Sequence, residues 1–353
     1  MELRNPRLVF DRWSQEQRGV WWPYGHPDAS LFLTVRGSAE RAWSEWKATR
    51  YYDATRPTVV DFTAENDFNA AAGAEGGVDL ISITKGACET LSSFFSTCIS
   101  EAGDECQSIV PGFDGDKLKA LFLEVSLLWL FMHELGHISD GHIEYVYERF
   151  NLRAIDELKA ASVPGFDSLT RQTLEMDADC FATHRLLMRM FEAQYQGTSP
   201  DHDTVWNVPK TNQFGTQADA VRIFMFANYA VWRHFAAFED FDISTATTHP
   251  PARIRYRISL DIVSTLITNW KLEETSEGDD IMKAAVQGSL LSEKLFGKIY
   301  GANTDKMLLF KEEPVEDYNY HASLHNRWFY LRSSLDPNKR GGTLTQAPQW
   351  PLK

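Results

Sequence analysis

The residues best equipped to do chemistry are His133-Glu134-Leu135-Gly136-His137, which close the most apolar stretch of the chain. On an α-helix, positions i and i+4 project from one face with Cβ atoms about 5–6 Å apart. Two imidazoles placed this way can each set a ring nitrogen about 2.0–2.1 Å from one Zn²⁺. Glu134, one residue beyond the first imidazole, leans to the side. It then reaches water at the metal rather than the metal itself, the position of a general base. The plain alternative is a pair of surface histidines that hold nothing. It fits poorly, because polar side chains ending an apolar helix are half-buried and need a partner.

A hydrolytic zinc site uses three protein ligands and keeps one position open. In the metzincin pattern the third ligand is a His six residues past the second, with a Gly three residues before it. Ile143 and Asp140 hold those places here, while His142 comes one residue early and Gly141 one residue late. That pattern fails on register. A carboxylate from a second helix fits better. In Glu175-Met176-Asp177-Ala178-Asp179, Glu175 and Asp179 are i, i+4 and share a face. Glu175 can ligate while Asp179 accepts the free ring N–H of a ligand His, fixing its tautomer. Alone, an acidic pair on a helix is usually a solvated face; the histidine motif makes Glu175 the favoured third ligand.

These residues require helices to carry them. The apolar pattern predicts a buried helix over 116–139, broken at Asp140-Gly141, with Asp114 and Asp116 as candidate N-caps in a turn over 111–116. A second helix over 168–194 buries Leu174, Ala178, Phe181, Leu186 and Met190. A third, over 216–238, is rich in Phe, Ala and Trp and belongs in the core. Residues 58–62 and 78–84 read as strands, 66–77 as a Gly, Ala and Asn-rich turn region, and Lys85-Gly86 as the end of the second strand. A helix is expected over 88–101. Another is expected over 38–50, with Ser38 as N-cap and Ala42, Trp43 and Trp46 as its apolar face. More helices, including 280–299, come after His249-Pro250-Pro251, and 341–353 is expected to fray. The sum is an α+β chain, mostly helical, with a small sheet beside the active-site helices. A Trp-rich extension (1–54), a core (55–260) and a helical C-terminal extension (261–353) divide it.

The formal net charge of −14 excludes a general nucleic-acid surface, which needs clustered Lys and Arg. With 43% hydrophobic and 24% charged residues the composition is that of a globular protein. Charged residues interrupt positions 1–13, so no secretory signal is expected there. The apolar run 120–132 contains Glu124 and Ser126 and is too short to span a bilayer. Cys88, Cys98, Cys106 and Cys180 form no CxxC pair and read as reduced thiols, which points to the cytoplasm.

Taken together, these segments resemble the metallopeptidase family of the CAAX prenyl proteases and HtpX-like peptidases, within the gluzincins. His133 to His142 is similar to that family's extended His-Glu-x-x-His-x-x-x-x-His form, and Glu175 to Asp179 to its Glu-x-x-Ala-Asp helix. His249-Pro250-Pro251, with Arg255 close behind, resembles its late His-Pro segment. Asn69-Ala70-Ala71-Ala72 with Ile81 to Gly86 is similar to its strand pair. The resemblance covers roughly residues 55 to 260 and implies a zincin-like core holding one zinc ion per chain. It also implies an endopeptidase acting on protein or peptide substrates, with Glu134 as the base. His249 and Arg255 would then face the developing oxyanion, His142 would support the ligands, and the strand over 78–84 would be the edge that pairs with extended substrate. Its membrane segments have no counterpart here. A chain of this kind fits a single-target protease restrained by a regulatory partner or by its own termini. The alternative is a catalytically silent zinc-binding regulatory protein.

Overall fold

Alternation of side chains in a small sheet decides which helices pack on each of its faces. The computed structural model describes residues 5–49, 56–109, 113–152, 154–156, 166–195, 216–236, 249–270, 272, 276–301 and 315–339. Four strands, β1 (Thr58–Thr63), β2 (Ala70–Glu75), β3 (Val78–Thr84) and β4 (Ala154–Asp156), form one sheet in the order β1-β3-β2-β4. β1 runs parallel to β3, and β2 is antiparallel to both β3 and β4. Part of the segment expected to be a turn is therefore a strand. The turn itself is Gly76-Gly77, whose φ values of 59° and 81° suit glycine. Ala70 to Ala74 have weak strand propensity of their own, but pairing on both sides overrides it.

The expected role of β3 as a substrate-pairing edge is overturned. β3 is paired on both sides and all seven of its residues are buried, so it offers no free backbone to an extended peptide. The outer strands are β1 and β4.

Val78, Leu80 and Ala71 point to one face, where Val9, Phe10 and Trp13 of α1 (Pro6–Trp13) complete a small apolar cluster. Val60, Phe62, Ala72, Ile81 and Ile83 point to the other face and join the main core. Helix α2 spans Ala29–Thr49, so it starts well before Ser38. Phe32, Val35, Ala39, Ala42 and Trp43 form its continuous buried stripe, and Ser38 sits mid-helix, donating its hydroxyl to the Thr34 carbonyl at 2.9 Å. Buried Asp61 on β1 ties down both helices by ion pairs with Arg7 and, at 2.9 Å, Arg36.

The remaining helices are α3 (Lys85–Gln107), α4 (Gly115–Ser139), α5 (His142–Phe150), α6 (Ser168–Tyr195), α7 (Gln217–Phe235), α8 (Ala252–Asn269), α9 (Ser276–Tyr300) and α10 (Val315–Leu335). Of the two N-cap candidates, Asp114 takes the role: its carboxylate accepts from the Lys117 amide at 2.9 Å, and Asp116 lies in the first turn. α4 is apolar on every side because α2, α3, α6, α7 and the sheet surround it. α9 packs along α7 and α10 along α6, and the buried side chains of α2, α9 and α10 belong to the same apolar cluster as those of α4 and α6. Among the described residues no helix is long and apolar enough to cross a membrane. The expected helix end at Arg50, the turn start at Pro111, the helix end at Phe238 and the fray of 341–353 lie outside the described residues, as does the side chain of Trp46.

Candidate metal centre

Two small residues allow α4 and α6 to meet closely enough to share a ligand set. A Cβ added to Gly136 would lie 3.1 Å from Ala178 Cα and 3.2 Å from Phe181 Cβ. The helices therefore touch backbone to backbone at Gly136 and Ala178. Glu175 sits one turn before Ala178, and His133 and His137 flank Gly136, so this contact brings the carboxylate to the imidazoles.

The resulting cluster has the spacing of a ligand set. His133 Nε2 and His137 Nε2 are 3.2 Å apart, and Glu175 Oε2 lies 3.2 Å from the first and 3.6 Å from the second. Donors on one tetrahedral zinc, with bonds of 2.0–2.1 Å, are about 3.3 Å from one another. The group His133, His137 and Glu175 is buried, has its donor atoms within 4.8 Å of one another, and can hold a metal ion.

The far side of each imidazole is also engaged. His133 Nδ1 lies 2.9 Å from Asp179 Oδ1, and Arg255 grips the same carboxylate at two points, 2.7 Å each. His137 Nδ1 lies 2.9 Å from His142 Nδ1, and His142 Nε2 lies 3.1 Å from Asp177 Oδ2. If His142 donates to Asp177 it accepts from His137, so His137 carries its proton on Nδ1. Both ligand histidines are then left with the Nε2 lone pair facing the cluster, the tautomer a metal requires.

Charge points the same way. Burial holds His137 neutral down to about 4, against the pull of Glu175. Burial alone pushes the Glu175 carboxyl up, but His137, His249 and the hydrogen bonds of the two ligand histidines outweigh it and hold it well below the usual carboxylate range. Neutral imidazoles and an ionised carboxylate are the protonation states that bind a divalent cation. Asp140, at the C-terminus of α4, is pushed well above the ordinary carboxylate range by burial and then by Asp177.

Other expected site residues fall around this set. Glu134 is fully buried beside His133 on α4. His249 Nε2 lies 3.6 Å from Glu175 Oε2, with its ring stacked on Phe235, but it is not one of the mutually close donors. Arg255 sits behind Asp179, between Trp129 and Phe235 with ring centroids at 5.3 and 5.4 Å, and its guanidinium grips the carboxylate that supports His133. Asp177 was missed by the i, i+4 argument, because it points away from the face shared by Glu175 and Asp179. It serves the site through α5, which brings His142 to that other face. No local signal pairs His142 with Asp177, which lie 35 positions apart in the chain.

No family model, curated protein or solved structure matches the chain.

Proposed function

We propose that the protein is a zinc-dependent endopeptidase of gluzincin type, with His133, His137 and Glu175 as the metal ligands. The observation that carries this reading is the three-donor cluster at tetrahedral spacing with Glu134 next to a ligand on the same helix. The borderline softness of a His₂-carboxylate set suits zinc. Zinc held by these three residues would supply Lewis acidity, acidifying a water molecule and polarising a carbonyl. Glu134 takes the proton of the attacking water and passes it to the leaving amine. His249, flanking Glu175, is the donor proposed for the oxyanion. Asp179 and His142 hold the ligand rings in register, and Arg255 holds Asp179. The substrate class is protein or peptide, and the resemblance to the CAAX protease and HtpX-like group supports the reaction rather than any membrane substrate.

One observation favours a silent metal site instead: His133, Glu134, His137 and Glu175 are each fully buried. Glu134→Gln distinguishes the readings. Zinc content is expected to survive while hydrolysis of a quenched peptide library falls by about a hundredfold or more. Persistent hydrolysis in Glu134→Gln overturns the mechanism. Zinc-loaded wild type that cleaves neither the library nor any cellular protein supports the silent reading.

A further inference from the structure

The turn that ends α10 packs against the joint between α4 and α5. α4 stops at Ser139 and α5 starts at His142, with Asp140 and Gly141 between them. Gly141 has a φ of 78°, and a Cβ added to it would lie 2.7, 2.8 and 2.9 Å from the C, O and Cβ atoms of Asn338. The backbone of Asn338 therefore fills the space that any other residue at position 141 would need. The Asn338 side chain reaches on to α5 and donates to Glu148 Oε2 at 3.3 Å. Lys339, next in the chain, pairs with Asp336 at 2.8 Å, and its side chain is only 14% exposed. Its charge acts, with that of Arg185, on the buried carboxyl of Asp140.

We propose that residues 336–339 are a positioning element of the metal centre, which holds His142 in place and, through it, the ring of His137. His142 directly follows Gly141, and its Nδ1 lies 2.9 Å from His137 Nδ1. A displacement of the joint is passed to that hydrogen bond, which weakens steeply once its angle is lost. The other hold on His142 is Asp177 of α6, 3.1 Å from Nε2. The ring is thus fixed from α6 on one side and through the start of α5 on the other.

α10 bridges the two helices that supply this pair. Tyr320 donates to Gln172 of α6 at 2.8 Å, Arg327 donates to Asp167 just before α6 at 2.8 Å, and the end of α10 closes on Gly141. This role rests on the reading of His133, His137 and Glu175 as the metal ligands. It gives the C-terminal extension the opposite sense to a restraint: loosening the segment weakens the metal site instead of releasing an active enzyme.

The test uses the full chain. Gly141→Asn keeps the positive φ, which Asn tolerates, and places a Cβ against Asn338. Hydrogen exchange at the amides of Asp336, Asn338 and Lys339 should speed up, and zinc affinity by chelator competition should fall by about tenfold. Faster exchange with zinc affinity within twofold of wild type overturns the proposal, and so does unchanged exchange. Lys339→Met should reproduce both changes and Lys339→Arg neither; the two variants behaving alike counts against the segment's role. A measurement on wild type alone guards against misfolded variants. Coupling between two sites is reciprocal, so bound zinc should slow exchange at the same three amides, and exchange unmoved by bound zinc overturns the proposal. NMR of the His137 ring nitrogens reads the positioning without metal: the proton should sit on Nδ1 in metal-free wild type and be shared between the two nitrogens in Gly141→Asn. Wild type that shows this difference yet binds no zinc sinks the metal reading and leaves the segment's role standing. The same tautomer in both proteins sinks the segment's role alone.

Discussion

Replacing Gly136 with Ala tests whether the close contact of α4 and α6 builds the metal centre. The added Cβ would lie 3.1 Å from Ala178 Cα and 3.2 Å from Phe181 Cβ. Comfortable carbon–carbon contact begins near about 3.5 Å, so the helices must separate by about 0.4 Å. Metal–ligand distances tolerate about 0.2 Å. Glu175 lies one turn from the strained contact and moves with α6, while the two histidines stay on α4. Overpacking of this kind costs about 1–3 kcal/mol. Ala in place of Gly in a helix returns about 1 kcal/mol. Metal-free stability should therefore fall by no more than about 2 kcal/mol. Metal binding has to pull the helices back together, so the strain of about 1–3 kcal/mol reappears there as roughly 5- to 150-fold weaker zinc affinity. Urea unfolding of the metal-free protein and chelator competition for zinc separate the two effects. Zinc affinity within twofold of wild type, at unchanged stability, would refute the argument. Adding Ala178→Gly should rescue only in part, because Ala178 Cα and Phe181 Cβ remain in the way.

The same geometry sets three further outcomes. Asp179→Asn removes the charge facing the buried Arg255 guanidinium; urea unfolding should register a loss of about 3–5 kcal/mol, and an unchanged midpoint would contradict the pairing. His142→Leu removes the partner of His137 Nδ1, and zinc affinity measured by chelator competition should drop by about 10–100-fold. Burial pushes the half-buried Glu124 on α4 up to about 8, with no ion pair to it among the described residues. A raised folded-state value means that stability is fully present below the unfolded value and is lost as pH rises towards 8. Glu124→Gln should therefore gain on wild type by up to a few (~3) kcal/mol between pH 5 and pH 8. Paired unfolding curves at the two pH values check this, and a pH-independent difference between them would count against it.

Much of the centre was legible in the chain itself. His133 with His137, and Glu175 with Asp179, were paired by helical spacing, because i, i+4 geometry is local and the same in any helix, and donor chemistry marked Glu175 as the third candidate. The ends of α4 and α6 were legible for the same reason: an N-cap at Asp114, a break at Asp140-Gly141 and an uninterrupted apolar period are signals carried by near neighbours. The start of α2 was not legible, and β2 was marked only by the resemblance of Asn69 to Ala72 to a family strand, not by local pattern. Gly37 and the run Ala70-Ala71-Ala72-Gly73 have poor propensities, and packing supplied what propensity lacked.

Everything that depended on distance along the chain was decided by the tertiary structure. The central place of β3 arises because β1 and β2 pair with its two edges, which no local pattern encodes. Asp177 joined the support of His137 because the turn after α4 and the start of α5 bring His142 to it, and Arg255 was drawn to Asp179 rather than to the cluster. The sequence by itself determined which donors exist and which share a helix face. Only the close approach of α4 and α6 at Gly136 and Ala178 decided that donors on two helices, 42 positions apart, converge to within 3.2 Å.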